Sequence, residues 1–189
     1  MKNIAIFASG AGSNAQKIID HLRNSDKGRV SLIVCNKAGA GVLQIAEREG
    51  IPAILIEKEP FFHSDIYVQL LKEQQIDFVV LAGFLWKIPA NLVLAFPNRI
   101  INIHPALLPK FGGKGMYGHF VHEAVIAAGE KESGITIHYV NEKYDDGETI
   151  LQERCIITPE DTPETVAKKV QALEHQWFPV IVERLLTNF

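Results

Sequence analysis

The sequence is poor in the features that mark a chain for a disulfide scaffold, a membrane or a nucleic acid. It has two cysteines, Cys35 and Cys155, and no CxxC pair, so its thiols alone cannot build a structural zinc site. Each lies in an apolar, strand-like run, the setting of buried reduced thiols rather than of a disulfide framework. No window approaches the roughly 18 consecutive apolar residues of a membrane span. The apolar start at Ile4–Phe7 is too short for a signal core, and no cleavage-like pattern follows it. The cytoplasm is therefore the expected location. A net charge of -3 supplies no basic footprint for nucleic acid, and no Lys/Arg cluster sits on an amphipathic helix suited to a membrane surface. Repeats and low-complexity linkers are absent, and the length suits a single domain over residues 1–189.

What is present is alternation. Apolar strand-like runs at Ile4–Ala8, Val30–Cys35, Ala53–Ile56, Asp77–Ala82 and Arg99–His104 are separated by segments with helical spacing: a first one whose apolar stripe is Ile18, Ile19 and Leu22, then Gly41–Glu49, Ser64–Gln74 and Pro89–Phe96. A helix over Phe120–Ala128 precedes two further strand-like runs, Ile135–Asn141 and Thr149–Ile157, joined by a tight turn. A long amphipathic helix from Pro163 to Leu186 closes the chain. Ser13 or Asn14 is the expected cap of the first helix. This order predicts an α/β fold: a mostly parallel sheet with helices on both faces and an antiparallel element at its far end. In such sheets ligands bind beyond the carboxyl ends of the strands.

Three constellations lie at such positions. Ser9-Gly10-Ala11-Gly12-Ser13-Asn14 joins the first strand to the first helix, where small residues and free amides favour a phosphate. It is not a Walker A loop, since no Gly-Lys-Ser/Thr follows, and it lacks the third glycine of the dinucleotide fingerprint. Asn102 and His104 stand two apart on one extended segment, so both side chains point the same way and both can donate to a developing oxyanion. Asp145-Asp146-Gly147 is first of all a turn signal. Only the tertiary fold could bring its carboxylate to His104, where it would favour the charged imidazolium. His119 and His122, spaced i, i+3, lack further ligands for a metal and read as helix-entry residues. His138, inside a strand, reads as core or as support for the site.

The stretches AGAGSNAQKI, DFVVLAGFL, RIINIHPALLPKFGG, GITIHYVNEKYDDGETILQ and VQALEH, in this order, resemble the phosphoribosylglycinamide formyltransferase family from Met1 to about Leu186. The resemblance implies a formyltransferase fold with a seven-stranded sheet. It also implies transfer of a formyl group from 10-formyltetrahydrofolate, as co-substrate, to the amine of glycinamide ribonucleotide in purine biosynthesis. It assigns Asn102, His104 and Asp145 to catalysis, with a protonated His104 and Asn102 at the oxyanion. Gly12, Ser13 and Asn14 would hold the phosphate, and Glu174 the ribose hydroxyls. Leu85, Trp86, Lys87 and Ile88, with Asn102, would line the folate slot. The implied partners are small molecules, with no metal, nucleic acid or membrane, in a monomer or weak homodimer.

Three departures from the family pattern stand out. Phe62-His63-Ser64-Asp65 lacks the arginine that approaches the folate's glutamate tail, Leu85-Trp86 replaces Met-Arg, and the loop Lys110–Gly118 is long. Lys110, Lys114 or Tyr117 are candidates to replace the lost contact. Rival readings are another folate-dependent formyltransferase, a 10-formyltetrahydrofolate hydrolase, or a nucleotide-binding module without chemistry. The set Asn102, His104 and Asp145 argues against the last, because a pure binder has no use for it.

Overall fold

The computed structural model of the protein describes residues 1–188; Phe189, at the end of the expected domain, lies outside the described residues. Seven strands form one sheet in the order β3-β2-β1-β4-β5-β6-β7. In chain order they are β1 (Lys2–Ala8), β2 (Gly28–Cys35), β3 (Ala53–Leu55), β4 (Phe78–Leu81), β5 (Ile100–His104), β6 (Glu132–Tyr139) and β7 (Thr149–Ile156). The first five run parallel, and the β5–β6 and β6–β7 pairs are antiparallel. The expected parallel sheet with an antiparallel end is therefore what the chain forms.

Strand side chains alternate between two cores, as a period of two requires. Ile4, Ile6, Ile33, Val80 and Ile101 face one way, against helices α1 (Ser13–Leu22), α6 (His119–Ala127) and α7 (Pro163–Leu185). Ala5, Phe7, Leu32, Val34 and Val79 face the other, against α3 (Lys58–His63), α4 (Ile66–Glu73) and α5 (Ala90–Ala95). Helix α2 (Gly41–Glu49) completes the first layer through Val42 and Ala46. Burying each large aliphatic chain is worth roughly 1.5–3 kcal/mol, which is why the apolar runs set the architecture.

Several local expectations need correction. The helix expected over Ser64–Gln74 forms as α4, but a short helix that was not expected, α3, precedes it; between them the Ser64 hydroxyl donates to the Pro60 carbonyl (2.7 Å) and accepts from the Ile66 amide (3.4 Å). This closes α3 and opens α4. Pro60 sits in the first turn of α3, where a missing N–H breaks no helical bond. Helix α1 is not capped by a side chain: Gly12, left-handed at φ 81°, holds the cap position, and Ser13 and Asn14 lie inside the first turn. Strands β6 and β7 are joined by residues 140–148 rather than by a tight turn. Cys155 is only partly buried, whereas Cys35 is enclosed.

Candidate active site

The chain leaves β1 toward β2 and β3 on one side, and returns through β4 to build the other side. A cavity of about 680 Å³ opens at this switch, within the range that holds small-molecule ligands. It is lined by residues that follow three strands: Asn14 after β1, Gly83–Leu85 after β4, and Asn102–Pro105 at the end of β5. Asp145, Glu174 and the loop after β5 complete it.

Asn102, His104 and Asp145 meet, as the sequence pattern required of the fold. The Asn102 amide donates to Asp145 Oδ1 at 3.5 Å, and His104 Nδ1 lies 3.6 Å from Asp145 Oδ2. His104 Nε2 is 2.7 Å from the Phe111 carbonyl. A carbonyl can only accept, so Nε2 carries a proton and Nδ1 is the edge turned toward Asp145. Asp145 also accepts from the Gly113 amide at 2.9 Å. Phe111 and Asp145 both adopt left-handed backbone conformations, at φ 55° and 50°. Such strain in residues other than glycine is concentrated at sites where geometry is over-determined.

Electrostatics bear on the resting charge of His104, which the sequence leaves open. Burial lowers the His104 pKa more strongly than Asp145 and the Phe111 carbonyl raise it, so the resting ring is neutral rather than protonated at neutral pH. Burial pushes the Asp145 carboxyl up, but the nearby His138 ring, His104 and the Gly113 N–H outweigh it and hold Asp145 below the usual carboxylate range. A neutral imidazole beside an ionised carboxylate is a site ready to take up one proton at Nδ1.

The other end of the cavity is built around α1 and α7. Gly12 is buried, and a Cβ there would come within 2.9 Å of the Val42 Cα, so the turn is pressed against α2. Asn14 donates to Glu174 Oε2 at 2.9 Å, while its own Oδ1 is buried without a partner among the described residues. Burial raises the Glu174 pKa, and the Asn14 bond offsets this only in part. An orphaned acceptor beside a carboxylate that has no cationic partner among the described residues is the signature of a place completed by a ligand. Asn14 and Glu174 line the cavity; Gly12 and Ser13 frame the turn behind them.

The Leu85–Ile88 stretch divides. Leu85 lines the cavity, but Ile88 is buried in the second core and Trp86 packs among Phe61, Phe62 and Phe84 at ring distances of 5.6, 5.8 and 6.2 Å. Lys87 is exposed, 5.8 Å above the ring of Tyr144, which itself lines the cavity. Of the candidate replacements in the long loop, Lys114 and Tyr117 line the cavity, whereas Lys110 turns away to pair with Glu130 at 2.8 Å.

Four residues escaped the sequence reading in part or whole. His138 lies opposite Asn102 in the β5–β6 ladder. Its Nδ1 donates to the Tyr139 carbonyl (2.9 Å), which leaves Nε2 to accept from Asn102 (3.1 Å). Buried Thr136, opposite His104, ties the following loop to the sheet by donating to the Ala106 carbonyl and accepting from the Leu108 amide. Ser9 bonds the Gly83 carbonyl and the Leu85 amide, joining the β1 and β4 loops. His122, read as a helix-entry residue, is buried in the cavity wall. The period-two alternation of β6 could have flagged Thr136 and His138 together, opposite His104 and Asn102, but no pattern gives Ser9 or His122 their places.

Among known proteins, the family model described as formyl transferase matches residues 2–182. The chloroplastic phosphoribosylglycinamide formyltransferase of Arabidopsis thaliana is 46% identical, over 96% of this chain and 64% of that protein. The Bacillus subtilis phosphoribosylglycinamide formyltransferase is 37% identical, over 98% and 95%. The chain thus spans less than two thirds of the plant relative and nearly all of the bacterial one. A solved structure of phosphoribosylglycinamide formyltransferase from Bacillus halodurans superposes with a TM-score of 0.87 at 41% identity, covering 98% of this chain and 95% of that one. Glycinamide ribonucleotide transformylase 1 from Symbiobacterium toebii superposes with a TM-score of 0.91 at 31% identity, covering 100% and 89%. The seven-stranded sheet is the fold these structures share.

Proposed function

The chain belongs to the formyl transferase family, and from that premise we propose that it moves the formyl group of 10-formyltetrahydrofolate to the amine of glycinamide ribonucleotide, a step of purine biosynthesis. The observation that carries the reading is the meeting of Asn102, His104 and Asp145 at one end of a cavity whose other end holds Asn14 and Glu174. One end suits acyl chemistry and the other a sugar phosphate. The cavity volume and its apolar wall at Phe84 and Leu85 fit the folate, which supplies the activated formyl carbon.

Each residue then has a physical task. The α1 amino terminus after Gly12, with Ser13 and Asn14, takes the phosphate through free amides and the helix dipole. Glu174 accepts from ribose hydroxyls. Leu85, with the backbone of Trp86, Lys87 and Ile88, flanks the folate. As the acceptor amine bonds the formyl carbon, Asn102 Nδ2 donates to the formyl oxygen, where negative charge builds. His104 Nδ1, beside Asp145 Oδ2, shares the single proton that the amine nitrogen sheds, and the imidazolium so formed supports the same charge, its ring held in place by Phe111. Asp145 receives the proton that the amine nitrogen sheds and delivers it to the departing folate nitrogen. One C–N bond forms, one breaks, and the proton count closes without a metal. The formyltransferase domain works in the cytoplasm, as a monomer or weak homodimer on small-molecule substrates.

Turnover with both substrates, for wild type and His104→Ala, tests the reading. Formylated ribonucleotide from wild type is expected, with a loss on the order of 100- to 1000-fold in the variant. A folded wild type that binds both substrates yet forms no such product would sink it and direct attention to other formyl acceptors or to hydrolysis.

A further inference from the structure

His122 has no task in this scheme, yet its placement is costly for a residue without one. It is 6% exposed, on α6, in the wall of the reaction cavity. Its Nδ1 is enclosed and unpartnered, and neither ring nitrogen makes a hydrogen bond among the described residues. Buried polar atoms are nearly always paired, so an exception in a cavity wall asks for a ligand. Burial, with His119 and His104 adding to it, keeps the ring neutral. A neutral ring offers one donor and one acceptor and is poorly matched to a phosphate.

The two ends of the cavity already have their occupants. The anion belongs at the α1 amino terminus, and the formyl group at Asn102, His104 and Asp145. Helix α6 packs on α7, which carries Glu174, and His122 lines the same cavity as His104 at the reactive end and Glu174 at the other. His122 thus shares its wall with both ends. What lies between them in glycinamide ribonucleotide is a neutral amide, with one carbonyl acceptor and one N–H donor. We propose that His122 hydrogen-bonds this amide and so aims the acceptor amine at the formyl carbon. The proposal rests on the acceptor identified under the proposed function.

The test compares wild type, His122→Leu and His122→Gln by calorimetric titration with glycinamide ribonucleotide, by steady-state kinetics with both substrates, and by thermal unfolding. Leucine has a similar volume and higher helix propensity, so removing an orphaned polar group should raise Tm. The same variant should weaken ribonucleotide binding about 5- to 10-fold, the effect of losing one neutral hydrogen bond, and leave the folate KM within about twofold. Glutamine should recover most of the ribonucleotide affinity. Unchanged affinity in His122→Leu overturns the proposal, as does an equal loss toward folate, or a loss accompanied by a fall in Tm. Should the leucine variant fail to fold, His122→Met takes its place with the same expected outcomes. A wild type that binds no glycinamide ribonucleotide overturns this proposal together with the reading beneath it, whereas normal wild-type turnover with an unaffected variant overturns this one alone.

Discussion

The two ends of the cavity are held by different means. At the α1 end, backbone presses on backbone: added Cβ atoms at Gly12 and Gly41 would meet the Val42 Cα and the Ala11 carbonyl, each at 2.9 Å. At the opposite end, residues 105–118 and 140–148 have no regular structure to hold them. Side-chain bonds do so instead, through Thr136, His104 with Phe111, and Asp145 with Gly113. A site that binds a fixed anion needs only shape, which close packing supplies. A site that handles protons needs groups whose charge can change, and these must be reached by side chains.

The comparison can be broken at its sharpest point by Asp145→Asn. The substitution keeps shape and removes the proposed proton acceptor, and its NH2 faces the N–H of either Asn102 or Gly113. A kcat loss on the order of 100-fold or more is expected, far beyond what the accompanying modest fall in Tm accounts for. Little kinetic change would mean that the reactive end is organised by shape after all. A smaller effect, of the other kind, is expected from Gly12→Ala. The left-handed φ and the Val42 contact together should cost about 1–3 kcal/mol in denaturant unfolding. Gly113→Ala, with φ 93° and open space around its Cβ, should cost only the conformational share of about 1–2 kcal/mol. Equal costs would remove the contrast in packing.

The smallest effect concerns acid. His104, His122 and His175 all have pKa values lowered, chiefly by burial. The unfolded chain binds their protons near pH 6.5 while the folded chain still refuses them. The stability they contribute is therefore complete above about pH 6.5 and is lost as pH falls below it toward the folded values. Glu174, raised by burial, works in the opposite sense. The useful reading is thus a difference: Tm of His122→Leu should fall less than that of wild type between pH 7.5 and pH 5.5, by about 1–3 °C. Parallel curves would show that His122 titrates as it does in the unfolded chain.

Much of this was legible in the sequence for a simple reason. Strands buried on both faces need uninterrupted apolar runs, so Ile4–Ala8, Asp77–Ala82 and Arg99–His104 declare themselves. The rule that ligands gather at strand ends then selects Asn14, Asn102 and His104 without coordinates. Resemblance added Asp145 and Glu174, which local pattern leaves as a turn and a helix face. The reading failed at Lys58–His63, a helix too short to show a period, and where residues share a stretch but not an environment. Leu85 and Trp86 are adjacent in the chain, yet one faces the cavity and the other an aromatic cluster.

The sequence by itself determined the order of strands and of the longer helices, the two apolar faces of the sheet, and the placing of Asn102 and His104 on one side of one strand. Those follow from periodicity, which is a local property. Only the tertiary structure decided that Asp145 stands beside His104, that His104 rests neutral, and that His122 is enclosed without a hydrogen-bond partner among the described residues. Each of these depends on how far a charge is removed from water and on which distant groups surround it, and residues separated along the chain settle that only when they pack.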